Sequence, residues 1–292
     1  YIAAYCALGE LQIEVFAQID QAISLFKKAK TIKPKDSKIH KWLGIAYFRK
    51  GQFQNALAEL ISSVAIDSAE RQSMYMLGLT YMHLENYEVA IQTFKMLIDK
   101  DPFHKQACFN LGNVYVRLGL MDQAKAALQR FREIDLEDET LTLLEQRVDR
   151  NTKDVDAWYQ LGRIYAERRK WQEAIASLEK CIAFDHQSRG HEILGFVYVN
   201  LEAYEEAVHH YSIIVQLDPR NSTYRNSLGS VYLMQEKYEL AIEQLEVAAR
   251  LEPSDARIQL NLASVYRKVG NQKLAGQAYF RYQELQQENA DD

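Results

Sequence analysis

The hydrophobic positions of this chain fall in pairs four residues apart. Leu43 and Tyr47, Leu77 and Tyr81, Leu111 and Tyr115, Leu161 and Tyr165, Leu194 and Tyr198, and Leu228 and Tyr232 each put a leucine and a tyrosine on one helix face. A glycine follows each of these leucines, so Leu-Gly-x-x-Tyr occurs six times, and Leu262-Ala263-Ser264-Val265-Tyr266 repeats it with Ala for Gly. Gly44, Gly78 and Gly112 are 34 residues apart, Gly162 and Gly195 are 33, and Gly195 and Gly229 are 34. Only 12 glycines and 4 prolines interrupt 292 residues, which predicts helix nearly throughout.

Further signals keep the same phase. Twelve residues after each Gly, or after Ala263, stand Ala56, Ala90, Ala124, Ala174, Ala207, Ala241 and Ala275. Four positions later come Leu60, Phe94, Leu128, Leu178, Tyr211, Leu245 and Tyr279. Pro34, Pro102, Pro219 and Pro253 all fall near a repeat end. The small residue beside Leu lets a second helix approach closely, and the later Ala sits where the two helices cross, where a larger side chain would force them apart. Proline stops the second helix and can open the next. Gly51, Gly119 and Gly270 fall between the two helices; where Glu85, Glu202 or Glu236 stands instead, a turn without a left-handed residue is expected.

A 34-residue hairpin carrying Leu-Gly-x-x-Tyr, then Ala, then Leu or an aromatic, then Pro resembles the tetratricopeptide repeat. The resemblance covers nearly the whole chain. It implies an all-α fold, an α-α superhelix: a right-handed solenoid of about eight helical hairpins. The repeats are placed at about 3–36, 37–70, 71–104 and 105–138, then 155–187, 188–221, 222–255 and 256–289. The first is irregular, because Gly9 lies one residue too far from Ala22. Residues 139–154 complete no repeat, and Leu141, Leu143, Leu144 and Val148 predict one short amphipathic helix ending near Asn151. The expected organisation is therefore an N-terminal subarray over 1–138, an interrupting helix over 139–154 and a C-terminal subarray over 155–292. The lone helix either bends the solenoid or is an insertion tolerated on its outer surface.

The resemblance also implies that first helices line a concave inner face suited to an extended peptide or a partner helix. In the first subarray the inward set includes Lys41, Trp42, Ile45, Phe48, Tyr75, Met76, Leu79, Met82, Phe109, Asn110, Asn113 and Arg117. Aromatic and methionine side chains in a concavity read as anchors for an apolar segment, against the alternative that several pack between repeats. In the second subarray the set is Tyr159, Gln160, Arg163, Ile193, Phe196, Asn226, Ser227, Ser230, Asn261, Ser264, Arg267 and Lys268. It either holds a peptide backbone through Asn, Gln and Ser or is an ordinary solvated face. A clamp for a C-terminal carboxylate, known in this family, is not expected, since Tyr75 and Leu79 stand where Lys and Asn are needed.

Charge and motifs narrow the chemistry. A formal charge of -5 leaves no strongly basic surface for phosphates, so no nucleic-acid partner is expected. No apolar run reaches the roughly 20 residues of a membrane span. Residues 188–255 carry Arg189, Arg220, Arg225, Lys237 and Arg250 against eleven acids. Glu205, Glu206, Glu239, Glu243 and Glu246 fall on second helices, reading as a solvated convex face over a dock for a basic partner. There is no Gly-rich phosphate loop, Cys-x-x-Cys or His-Glu-x-x-His, so no cofactor and no enzymatic activity are expected. His209 and His210 are adjacent, and His186 and His191 straddle a junction; neither pair predicts a metal site. Cys6, Cys108 and Cys181 read as buried thiols, favouring the cytoplasm over a bacterial periplasm or envelope. A start at Tyr1 suggests a longer protein or a removed leader. The function expected is a non-catalytic scaffold for a protein or peptide partner. The alternatives are the binding region of a larger enzyme or secretion machine, and self-assembly into a homo-oligomer through the end repeats, where Tyr279, Phe280, Tyr282 and Leu285 cluster.

Overall fold

The computed structural model describes residues 2–185 and 190–291. They form sixteen α-helices, with no strand among the described residues. The chain divides into two compact units, Tyr1–Asp138 and Glu139–Asp292. The first holds the hairpins α1 (Ile2–Glu14) with α2 (Ile19–Ile32), α3 (Ser37–Arg49) with α4 (Phe53–Ile66) and α5 (Arg71–His83) with α6 (Tyr87–Lys100), then α7 (Lys105–Arg117). The second holds α9 (Val155–Glu167) with α10 (Trp171–Phe184), α11 (Gly190–Asn200) with α12 (Tyr204–Leu217), α13 (Ser222–Met234) with α14 (Tyr238–Leu251) and α15 (Ala256–Lys268) with α16 (Gln272–Asp291). The helix α8 (Met121–Arg150) contains the division. The second helices α2, α4, α6, α10, α12 and α14 each pack on their own first helix and on the next one, and first helices also touch each other, as α3 does α5 and α9 does α11.

Hairpin starts and turns are fixed by different chemistry. First helices open on a side-chain cap: Asp36, Glu70, His104, Asp154, Asn221 and Asp255 each accept a backbone N–H of the first turn. The second helices α4, α6, α10, α12 and α14 open without one, because the preceding turn already fixes their entry. In that turn the carbonyl of the motif tyrosine accepts the N–H five residues on: Tyr47 from Gln52, Tyr81 from Asn86 and Tyr232 from Lys237, each at 2.9 Å. This closure is a Schellman motif and needs one left-handed residue. Gly51, Gly119 and Gly270 supply it with φ of 77°, 72° and 79°.

Glu85, Arg169, Glu202 and Glu236 adopt the same left-handed conformation, with φ of 61°, 56°, 59° and 59°. The expectation that the glutamates avoid it is therefore corrected: two helices clamped by packing on either side leave the connecting residue no other conformation. A side chain in that region costs about 1 kcal/mol, so Glu236→Gly is expected to raise the stability of unit 2 by up to about 1 kcal/mol. Urea unfolding monitored by circular dichroism checks it; an unchanged or lower midpoint would refute the strain.

The short separate helix expected after residue 138 is likewise corrected. The second helix of the fourth hairpin runs on without a break to Arg150. After α4, α6 and α12 an aspartate ends the second helix by accepting the N–H two residues on: Asp67 from Ala69, Asp101 from Phe103 and Asp218 from Arg220. Here Asp135 bonds Lys105 Nζ at 2.9 Å instead, and Leu136 stands where four repeats have proline, so nothing stops the helix. Its last turns are not a loose insertion. Leu141, Leu144 and Val148 are buried against Leu161 and Ile164 of α9, covering the first hairpin of unit 2, while Leu143 is exposed.

The irregular first hairpin has a simple cause. Four residues, 15–18, join α1 to α2 where three join α3 to α4, so the extra residue is absorbed in the turn. Phe26 still packs onto Gly9, since a Cβ on Gly9 would lie 2.6 Å from its ring. At Gly78 an added Cβ would lie 2.6 Å from Phe94 Cε1, so the bare backbone is what lets the ring in. The last hairpin shows the converse: Ala263 carries a Cβ, and the matching Tyr279 turns out to 48% exposure. No helix among the described residues is long and apolar enough to cross a membrane.

Candidate functional site

The inner faces of the two units differ. In unit 1, Trp42 and Ile45 are buried in the core with Leu43, Leu60 and Leu77, so they pack the hairpins and offer no groove surface. This corrects their assignment to the groove: both flank Leu43 and Gly44, where Leu60 of α4 packs onto α3. Lys41 pairs with Glu70 at 3.2 Å. Phe48 stands edge-on to Phe53 and His83. Asn110 Nδ2 donates to Tyr75 Oη at 3.1 Å and to the Gln106 carbonyl at 2.9 Å. Met76, Leu79 and Met82 are half-buried against the cores, Asn113 is half-buried, and Arg117 reaches Tyr87 Oη at 3.5 Å. Phe109 alone of the aromatic candidates in this unit is strongly exposed, leaning on Phe131 at 5.3 Å.

Unit 2 contains a cleft of about 620 Å³ on the first-helix face. Tyr159, Arg163, Ile193, Phe196 and Ser227 line it, five of the twelve side chains proposed for this face from sequence. On α9 Tyr159, Arg163 and Glu167 follow one another at steps of four, and Glu192, Phe196 and Asn200 do so on α11, giving two adjacent ribs. Arg163 Nη1 donates to Glu167 Oε1 at 2.6 Å and its Nε to Gln160 Oε1 at 3.2 Å. Trp171, the first residue of α10, meets Phe196 edge to face with centroids 6.4 Å apart, while Phe196 stays 49% exposed. At the other end Tyr211 is buried, with its phenol pushed up to about 12, first by burial and then by the charge of Glu192. Tyr224 Oη donates to Glu192 Oε2 at 3.4 Å.

Beyond the cleft the polar residues form a short ladder. Asn261 Nδ2 donates to Asn226 Oδ1 and to Ser230 Oγ, each at 2.9 Å. Ser264 turns back onto the Leu260 carbonyl, and Arg267 and Lys268 are exposed. Glu192 and Asn200 lie one helical turn to either side of Phe196, so the first-helix spacing that finds Tyr159 and Arg163 reaches them too. Trp171 and Tyr211 come from second helices, which first-helix spacing leaves out.

Two buried histidines meet across the α11–α12 hairpin. His186 and Arg189 lie outside the described residues. His191 and His210 are both buried and face each other, Nδ1 to Nδ1, at 2.8 Å. Among the described residues no three His, Cys, Asp or Glu side chains gather to hold a metal ion. Cys108 and Cys181 are buried as expected, whereas Cys6 is only partly covered.

Sequence models of the tetratricopeptide repeat match residues 75–135, 195–255 and 235–290, and a second such model matches 155–188. A BBSome complex member, bbs-4 of Caenorhabditis elegans, is 25% identical over 122 residues, 42% of this chain and 25% of that protein. The BBSome complex member BBS4 homolog of Drosophila melanogaster is 27% identical over 112 residues, 38% of this chain and 23% of that protein. Anaphase-promoting complex subunit CDC16 of Saccharomyces cerevisiae is 26% identical over 121 residues, 39% of this chain and 14% of that protein. The matched stretch is thus a quarter or less of each relative. A MamA crystal structure aligns at a TM-score of 0.47 and 22% identity, covering 64% of this chain and 94% of that one.

Proposed function

The chain belongs to the tetratricopeptide repeat family, and on that premise we propose that it is a non-catalytic interaction scaffold holding an extended partner segment in the unit 2 cleft. The observation that carries this reading is Phe196. It is a large aromatic side chain left half in water on a preformed concave face, flanked by Trp171 and Tyr159. Folding gains nothing from that exposure, whereas a partner side chain covering it would gain roughly 25 cal/mol for each Å² removed from water. The relatives named as complex members support the same reading, with this chain as one subunit of a multi-protein assembly.

Affinity capture from native extract tests it, with the wild type run beside a Tyr159→Ala/Arg163→Ala/Phe196→Ala variant whose helicity is first verified. A partner held by the wild type is expected to be lost, since an anchor in a groove contributes about 2 kcal/mol or more. Equal recovery by both would move the site off this face. Recovery of the chain alone, as a concentration-dependent oligomer, would replace the reading by self-association through exposed Tyr279 and Phe280 of α16.

A further inference from the structure

The cleft contains two carboxylates with different circumstances. Glu167 is taken by Arg163 from the same helix, 2.6 Å away. Glu192 is half-buried and bonds the phenol of Tyr224 at 3.4 Å, and no cation among the described residues lies within ion-pair distance of it. Its charge is felt by its neighbours: after burial, it is the next cause raising both the Tyr211 and the Tyr224 phenols. A carboxylate drawn partly out of water beside phenols attracts a cation more strongly than one on an open surface. One helical turn along α11 stands Phe196, with the edge of Trp171 against it. The two positions are about 6 Å apart, close to the roughly 7 Å between alternate side chains of an extended chain. Arg163, on α9, is neutralised by Glu167, and Arg169 sits at the turn beyond, adding a positive charge at that end of the cleft.

We propose that this cleft selects partner segments with a lysine or arginine two residues from a large apolar side chain, the base pairing with Glu192 and the apolar group covering Phe196 and Trp171. The proposal rests on the groove reading above and adds the chemistry of its occupant. Arg169 orients the segment, because it repels the base from the Phe196 end.

Random short peptides displayed on phage are selected against the whole chain and against Glu192→Gln, Glu192→Lys and Phe196→Ala, each with verified helicity. The wild type is expected to enrich Lys/Arg-x-apolar sequences. As synthetic peptides, these should bind Glu192→Gln about tenfold more weakly or worse. Glu192→Lys should enrich acids at the position of the base. Peptides that depend on Phe196 but carry no base, or whose affinity ignores Glu192→Gln, would overturn the charge assignment and leave the groove reading standing. If no peptide distinguished the wild type from Phe196→Ala, both would fall.

Discussion

Phe94→Ala is expected to cost unit 1 about 3–5 kcal/mol, among the largest effects of any single substitution in this chain. Phe94 has no exposed surface, lies in the core with Met74, Leu97, Leu111 and Val114, and seats its ring against the bare backbone of Gly78. Truncation removes the buried ring and leaves a cavity that rigid helices on both sides cannot close. Hydrogen exchange should quicken across α5, α6 and α7, while α13 to α16 keep their protection, because repeat stability is a sum over neighbours. Gly78→Ala alone should also destabilise, and far less so when Phe94 is already alanine, a coupling of about 0.5–3 kcal/mol in a double-mutant cycle. Additive losses would mean that the glycine and the ring do not depend on each other.

Acidification should weaken unit 2 well before its carboxylates titrate. His210 is buried against His191, stacked on Tyr198 with ring centroids 5.5 Å apart, and next to His209. Burial first, and then the two neighbouring imidazoles, lower its pKa from 6.5 to about 4. The sign follows from linkage. Below 6.5 the unfolded chain takes up a proton that the folded chain refuses, so stability falls with pH across the window from 6.5 to about 4. Between pH 7 and pH 5 the loss should amount to about 2 kcal/mol. Urea midpoints over that range read it directly, and His210→Leu should flatten the slope. The same slope in both proteins would place the proton uptake elsewhere.

Much of this architecture was legible because the repeat is a packing rule. Leu-Gly-x-x-Tyr and the large residue sixteen positions after the glycine are two sides of one contact, so their spacing announces the hairpin. The turns were less legible. Glu85, Glu202 and Glu236 are poor left-handed residues by local preference, and the closure onto the tyrosine carbonyl overrides that preference. The long α8 was hidden for a related reason: the absence of a stop at Leu136 matters only because nearby repeats have one. In the candidate site, spacing finds the ribs of Tyr159, Arg163 and Phe196. It does not separate a groove residue from a packed one, as Trp42 and Ile45 show, because first-helix positions a residue or two apart differ in how far the neighbouring helix covers them. Trp171 and Tyr211 enter from second helices, and only the three-dimensional arrangement brings them to the cleft.

The most direct test of the scaffold is photo-crosslinking in native extract, with benzoylphenylalanine placed either at Phe196 in the cleft or at exposed Glu239 on a second helix. A partner crosslinked from position 196 and not from position 239 is the predicted result. The same partner captured equally from both positions, or from 239 alone, would contradict a binding groove on the first-helix face.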